Sequence, residues 1–102
     1  EGPLFFGTVQ KFETAVERAE IDFKVLIVRT RRMIYLDAGG LQALKQVLAL
    51  CNKRKVQLLI SGIHTQPFTL LLKSGFADKL GKDNIFQKIG DALVKASELV
   101  SE

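Results

Sequence analysis

Six places in this 102-residue chain hold residue types suited to chemistry. They are Asp37 before a glycine pair, the single histidine His64, the single cysteine Cys51, and three groups of basic residues. Asp37-Ala38-Gly39-Gly40-Leu41 is the most informative of them. An aspartate ahead of a helix accepts hydrogen bonds from the first free backbone N–H groups. Two glycines in the first turn leave main chain unshielded, so a partner surface can come close to the helix start. The same residues also suit a plain N-cap followed by two glycines, and local spacing alone favours that plainer reading. A small anion could use the N–H groups at such a helix start. Arg31 and Arg32 favour that, whereas the Asp37 carboxylate repels an anion and occupies the donors. The glycines match neither the phosphate-loop nor the dinucleotide-binding pattern.

The remaining candidates carry less. His64 follows an inner strand and precedes a helix, a position where α/β proteins often bind ligands. It has no second histidine, nearby cysteine or paired carboxylates to complete a metal site, and suits a loop histidine making an ordinary hydrogen bond. Cys51 falls on the apolar stripe of a helix, where a free thiol behaves as a small hydrophobe. The basic residues Arg29, Arg31 and Arg32, then Lys53, Arg54 and Lys55, then Lys79, Lys82 and Lys88, lack the interleaved exposed aromatics of a nucleic-acid surface. Most of the seven Phe residues sit in apolar runs that read as core.

The elements that position these residues follow from periodicity. Pro3-Leu4-Phe5-Phe6 reads as a strand ended by Gly7, with Thr8 as the cap of a following helix. Val9, Phe12, Val16 and Ala19 form the apolar stripe of that helix, with Lys11, Glu13, Glu17 and Arg18 on its wet side. Lys24 to Thr30 contains four consecutive apolar residues, the pattern of a strand buried on both faces. Arg31 and Arg32 open a connection that Met33 to Leu36 extends. A second helix carries Leu41, Leu44, Leu48 and Cys51 inward and ends on Asn52-Lys53-Arg54-Lys55, positive charge beside the negative pole of the helix.

Val56 to Ile60 reads as another inner strand, closed by Ser61-Gly62. A helix follows with Pro67 in its first turn, Thr65 or Gln66 as cap, and Phe68, Leu71 and Leu72 inward. Ser74-Gly75-Phe76 reads as its stop, with Gly75 left-handed. Ala77 to Asn84 reads as polar connection, and Ile85-Phe86 is too short to assign. Ala92, Leu93, Ala96, Leu99 and Val100 give a last amphipathic helix. The alternation predicts one α/β domain over residues 1–102, its sheet mostly parallel and covered by helices.

Composition agrees with one globular domain. The chain is 47% hydrophobic and 25% charged, with net charge +4. That balance excludes a disordered chain, and one cysteine excludes a disulfide framework. The longest stretch without Asp, Glu, Lys or Arg runs from Val56 to Leu72 and is too polar for a membrane helix. The chain opens on Glu1 rather than Met, which suggests a piece of a longer protein.

Six segments in register resemble one family. They are Gly2-Pro3-Leu4-Phe5-Phe6-Gly7, Val25 to Arg32, Leu36 to Leu44, Leu58 to Pro67, Ser74-Gly75-Phe76, and Gly81 with Asn84-Ile85-Phe86. Together they resemble the STAS domain at the cytoplasmic C-terminus of bacterial SulP-type anion transporters. The resemblance implies a mixed, mostly parallel sheet of about four strands flanked by about four helices, with a further strand and a membrane domain upstream of Glu1. It implies a non-catalytic regulatory domain at the cytoplasmic face of the membrane. Its parent would exchange or co-transport an anion such as sulfate or bicarbonate.

The interaction loop would comprise Arg31, Arg32, Tyr35, Asp37, Ala38, Gly39, Gly40 and Leu41, with Ser61, His64 and Thr65 as a secondary loop. Its partners would be the protein's own transmembrane domain, a second protomer or a small cytosolic regulator. The membrane would lie close by, and neither nucleic acid, metal nor cofactor is expected. Free-standing STAS proteins act instead as anti-sigma factor antagonists, switched by phosphorylation of a serine directly after the signature aspartate. Ala38 stands at that position and has no hydroxyl, which shifts the reading towards the transporter. A small α/β enzyme is the third alternative, and it lacks a catalytic constellation.

Overall fold

The computed structural model describes residues 23–101 together with residues 10, 11, 13, 14, 17 and 18. Those six residues are helical, with Lys11, Glu17 and Arg18 exposed as a wet helix face requires. The expected strand at Pro3 to Phe6, the Thr8 cap and the stripe of Val9, Phe12, Val16 and Ala19 lie outside the described residues.

From Val25 the chain alternates strand and helix. Strand β1 (Val25–Arg29) leads to helix α1 (Ala38–Arg54), strand β2 (Gln57–Ser61), helix α2 (Thr65–Lys73) and helix α3 (Phe76–Leu80). A 3-10 turn (Lys82–Asn84), strand β3 (Ile85–Phe86) and helix α4 (Ile89–Val100) complete it. The described strands run in the order β1-β2-β3, all parallel, with Ile27 opposite Leu59 and Ile60 opposite Ile85. Parallel pairing requires a crossover between neighbouring strands; α1 supplies the first, and α2 with α3 the second.

Side-chain alternation divides the sheet into two faces. Leu58 and Ile60 join Leu44, Val47, Leu48 and Cys51 of α1, Leu71 of α2 and Phe76, Ala77 and Leu80 of α3 in one buried cluster. Leu59, equally buried, stays outside that cluster, as does Ala92 of α4. Helix α4 runs against all three strands and covers this second face.

Local signals explain α1. Asp37 Oδ1 accepts from the Gly40 N–H at 2.8 Å, which satisfies one of the donors that a helix start leaves free. At the other end Lys53 and Arg54 occupy the last turn, and Lys55 closes it in the left-handed conformation with φ 60°. The Val56 N–H then donates to the Cys51 carbonyl at 2.8 Å, the wrap-back bond of a Schellman-type stop.

Several expectations need correction. Ala77 to Leu80 is not loop: it belongs to α3, whose Phe76, Ala77 and Leu80 are core. The segment shows only a five-residue pattern, too short for periodicity to reveal. Gly75 is left-handed as expected, with φ 84°, but it joins α2 to α3 rather than to a connection. The cap of α2 is His64 rather than Thr65 or Gln66, because the helix begins at Thr65 and Pro67 takes its third position. Ile85-Phe86 is a genuine strand, defined by pairing with β2 rather than by its own length. The apolar residues of β1 are half-buried rather than buried, because β1 is at one edge of the described sheet. On α4 only Ala92 is buried. Leu93, Val94 and Val100 are exposed, since the inward face follows Ala92, Ala96 and Leu99 at spacings of four and three.

Candidate functional site

The segment between β1 and α1 has no regular secondary structure, yet it is held at both ends. At its start the buried Thr30 donates twice to the Ser61 carbonyl, through its backbone N–H at 2.8 Å and its hydroxyl at 3.0 Å. The His64 ring donates through Nε2 to the Arg31 carbonyl, although that carbonyl lies 33 positions back in sequence. At its end the Gln66 side chain forms a two-bond clamp on Leu36. Its Oε1 accepts from the Leu36 N–H at 2.6 Å, and its Nε2 donates to the Leu36 carbonyl at 2.9 Å. The secondary loop is thus the frame on which the first loop is mounted.

Two glycines allow the close fit. Gly62 has φ +73°, and a Cβ there would lie 3.1 Å from Arg31 Cβ and 3.3 Å from its Cα. Any other residue at position 62 meets both backbone strain and the neighbouring loop. Gly40 is buried, and a Cβ on it would fall 2.6 Å from Leu36 Cδ1. The glycine pair is therefore not one open strip of main chain. Ala38 and Gly39 are exposed, whereas Gly40 packs under the buried Leu36. A Cβ at Gly39 would meet only Asp37 Oδ1, at an ordinary 3.6 Å.

Between its anchors the loop turns one side chain inward after every two outward. Leu36 is core and Met33 packs against the core. Arg31, Arg32, Ile34 and Tyr35 are exposed, with Ile34 at 66% and Tyr35 at 62%. Leu41 is half-buried against the core and Asp37 is exposed. The loop therefore presents two apolar side chains and two guanidinium groups beside the start of α1. Arg29, Arg31 and Arg32 form no ion pair among the described residues. The ion pair present there, Lys82 with Asp78 at 3.9 Å, is well exposed and contributes little to stability.

Of the secondary-loop residues, Ser61 contributes its carbonyl. Its hydroxyl is buried without a hydrogen-bond partner. His64 uses its ring across the loops and makes no side-chain cap for its own helix. Thr65 is exposed on the first turn of α2, at the edge of a cavity of about 290 Å³ that Ile63, Phe68 and Phe86 also line. Gln66 and Gly62, which hold the geometry together, carry no sequence signal for that role. An amide ahead of a proline reads as a helix cap, and its partner Leu36 lies 30 residues away.

Cys51 is the other reactive group that the sequence offers. Cys51 is buried, and desolvation raises its thiol pKa from 9.0 to about 11. It is thus neutral at physiological pH, the opposite of an activated thiol. Among the described residues no three His, Cys, Asp or Glu side chains cluster to hold a metal ion. No helix among them is long and apolar enough to cross a membrane.

The described residues thus form a parallel α/β scaffold that presents an exposed loop on a hydrogen-bonded frame. The chain belongs to the STAS domain family, whose model matches residues 1–92. It is 32% identical over 87 residues to "Putative sulfate transporter YvdB" of Bacillus subtilis, a match covering 84% of this chain and 16% of that protein. It is 26% identical over 90 residues to Sulfate transporter 1.1 of Arabidopsis thaliana, covering 88% of this chain and 14% of that one. The chain thus matches only 14–16% of the length of these relatives. A solved sulfate transporter family protein from Wolinella succinogenes superposes with TM-score 0.85 at 34% identity, covering 95% of this chain and 80% of that one. The SulP transporter STAS domain of Vibrio cholerae shares the fold, with TM-score 0.87 at 24% identity and coverage of 95% and 77%.

Proposed function

We propose that residues 1–102 form the regulatory domain of a SulP-type secondary anion transporter, at the cytoplasmic face of the membrane, and that it acts by contact rather than catalysis. The observation that carries this reading is the mounted loop. Its ends are fixed by Thr30, His64 and Gln66, while Ile34, Tyr35, Ala38 and Gly39 remain exposed. A pre-formed surface binds without first losing loop entropy. Membership of the STAS family and the sulfate-transporter names of the relatives support the choice of parent.

In the parent, the exposed start of α1 meets the membrane domain, a second protomer or a cytosolic regulator. Contacts that differ between inward- and outward-facing states shift their populations, and only differential contacts do so. Ala38 begins α1 and is exposed, so the position that carries a phosphorylated serine in the antagonist class holds no hydroxyl here.

Gly39 gives a clean test, because a Cβ there makes only an ordinary contact with Asp37 Oδ1. Gly39→Phe in the full-length parent should change the anion transport rate by roughly 5-fold or more. The thermal midpoint of the isolated domain should hardly move. Unaltered transport at normal expression contradicts the proposal. Gly40 is unsuitable for this purpose, since its replacement perturbs the core through Leu36.

A further inference from the structure

The segment Arg31 to Tyr35 has a shape and charge that the contacts of the α1 start do not use. Met33 is turned inward against the core, so the exposure of its neighbours is imposed by a fixed loop rather than by lack of a core to join. Ile34 and Tyr35 stand out side by side at 66% and 62% exposure. Arg31 and Arg32 are exposed next to them and Arg29 ends β1 below, none with an ion pair among the described residues. The only acid between Arg29 and Leu41 is Asp37, and its carboxylate is engaged with the Gly40 N–H at the positive end of α1.

We propose that this tip seats on an anionic lipid surface, with Ile34 and Tyr35 entering the headgroup layer and Arg31 and Arg32 pairing with lipid phosphates. The proposal rests on the reading of the domain as part of a membrane transporter. Arginine matches phosphate geometry with two parallel hydrogen bonds, and a tyrosine ring suits the interface, with its apolar body in lipid and its hydroxyl in water. Two apolar side chains fall well short of the roughly 800 Å² per partner that a stable protein interface buries. A fluid bilayer accepts so small a wedge without a shaped groove. The clamp on Leu36 and the His64 bond keep the tip formed before contact.

Tyr35 is the only tyrosine and the chain has no tryptophan, so intrinsic fluorescence reports the tip alone. The 102-residue chain should be mixed with phosphatidylcholine vesicles, with and without phosphatidylglycerol, and both co-sedimentation and acrylamide quenching of Tyr35 read. The expected result is binding to the phosphatidylglycerol vesicles at low salt, with Tyr35 shielded from acrylamide. R31Q/R32Q should weaken that binding about 30-fold, near fivefold for each guanidinium. K53Q/R54Q, which removes the same charge at the far end of α1, should leave it within about twofold.

Equal losses from the two double variants would reduce the effect to net charge and overturn the proposal. So would sedimentation with Tyr35 fully quenchable, or no binding to either vesicle. If vesicles fail to bind while Gly39→Phe still alters transport in the parent, the tip meets protein instead, and the regulatory reading stands without the lipid contact.

Discussion

Phe76→Ala should destabilise the domain by about 3–5 kcal/mol, the cost of removing a large aromatic side chain from a packed core. Among the described residues Phe76 is the largest of the fully buried side chains, at 1% exposure. It opens α3 and joins the cluster that α1 and β2 share. Removing its ring withdraws transfer energy and leaves a void that the rest of the cluster would have to fill by moving. Domains of this size have total stabilities of about 5–15 kcal/mol, so the variant should be partly unfolded at moderate temperature. Urea titration followed by circular dichroism measures it. Phe68, half-buried on α2, should cost clearly less as Phe68→Ala. Equal losses at the two positions would contradict the core described here.

Gln66→Ala should cost about 2 kcal/mol and release the loop. The substitution removes two hydrogen bonds and leaves both the N–H and the carbonyl of the buried Leu36 without their partner. A buried polar group left unpaired costs more than an average hydrogen bond gains. Gln66→Glu separates the two bonds. A carboxylate still accepts from the Leu36 N–H but cannot donate to the Leu36 carbonyl, and it faces that oxygen with negative charge. Both variants should speed amide exchange at Leu36, while amides of β2 follow only the global loss. A Leu36 amide as protected in Gln66→Ala as in the original chain would show that the clamp does not hold the loop.

The difference between these two residues shows where the sequence is readable. Helix α1 is legible because Leu44, Leu48 and Cys51 repeat at helical spacing and Asp37 marks the start. Strand β2 is legible because Leu58, Leu59 and Ile60 are apolar on both faces. Helix α3 offers five residues, less than two turns, and β3 offers two. Both exist because neighbours hold them, so no local pattern announces them. Phe76 follows a left-handed glycine, as the sequence predicts, but its role as core depends on α3 joining the cluster of α1 and β2.

The loop divides in the same way. Asp37 as an N-cap follows from its chemistry and position, and the structure bears it out. Tyr35, Arg31 and Arg32 are exposed among the residues expected to face a partner. Gly40 departs from expectation because its environment is set by Leu36, whose own placement depends on Gln66. The frame is a long-range hydrogen-bond arrangement, and residue types alone do not specify which distant backbone an amide will meet. Ile34 is the apolar half of the tip. Within the run Met33-Ile34-Tyr35-Leu36 only the fold decides that Met33 and Leu36 turn inward while Ile34 and Tyr35 turn outward.

On the proposed reading, a partner covers the mounted loop in the parent protein. Amide hydrogen exchange measured on the isolated chain and on the full-length parent in a membrane tests this. Ile34, Tyr35, Ala38 and Gly39, exposed in the isolated domain, should exchange several-fold more slowly in the parent, while the amides of β2 stay unchanged. Identical exchange at those four positions in both forms would contradict it.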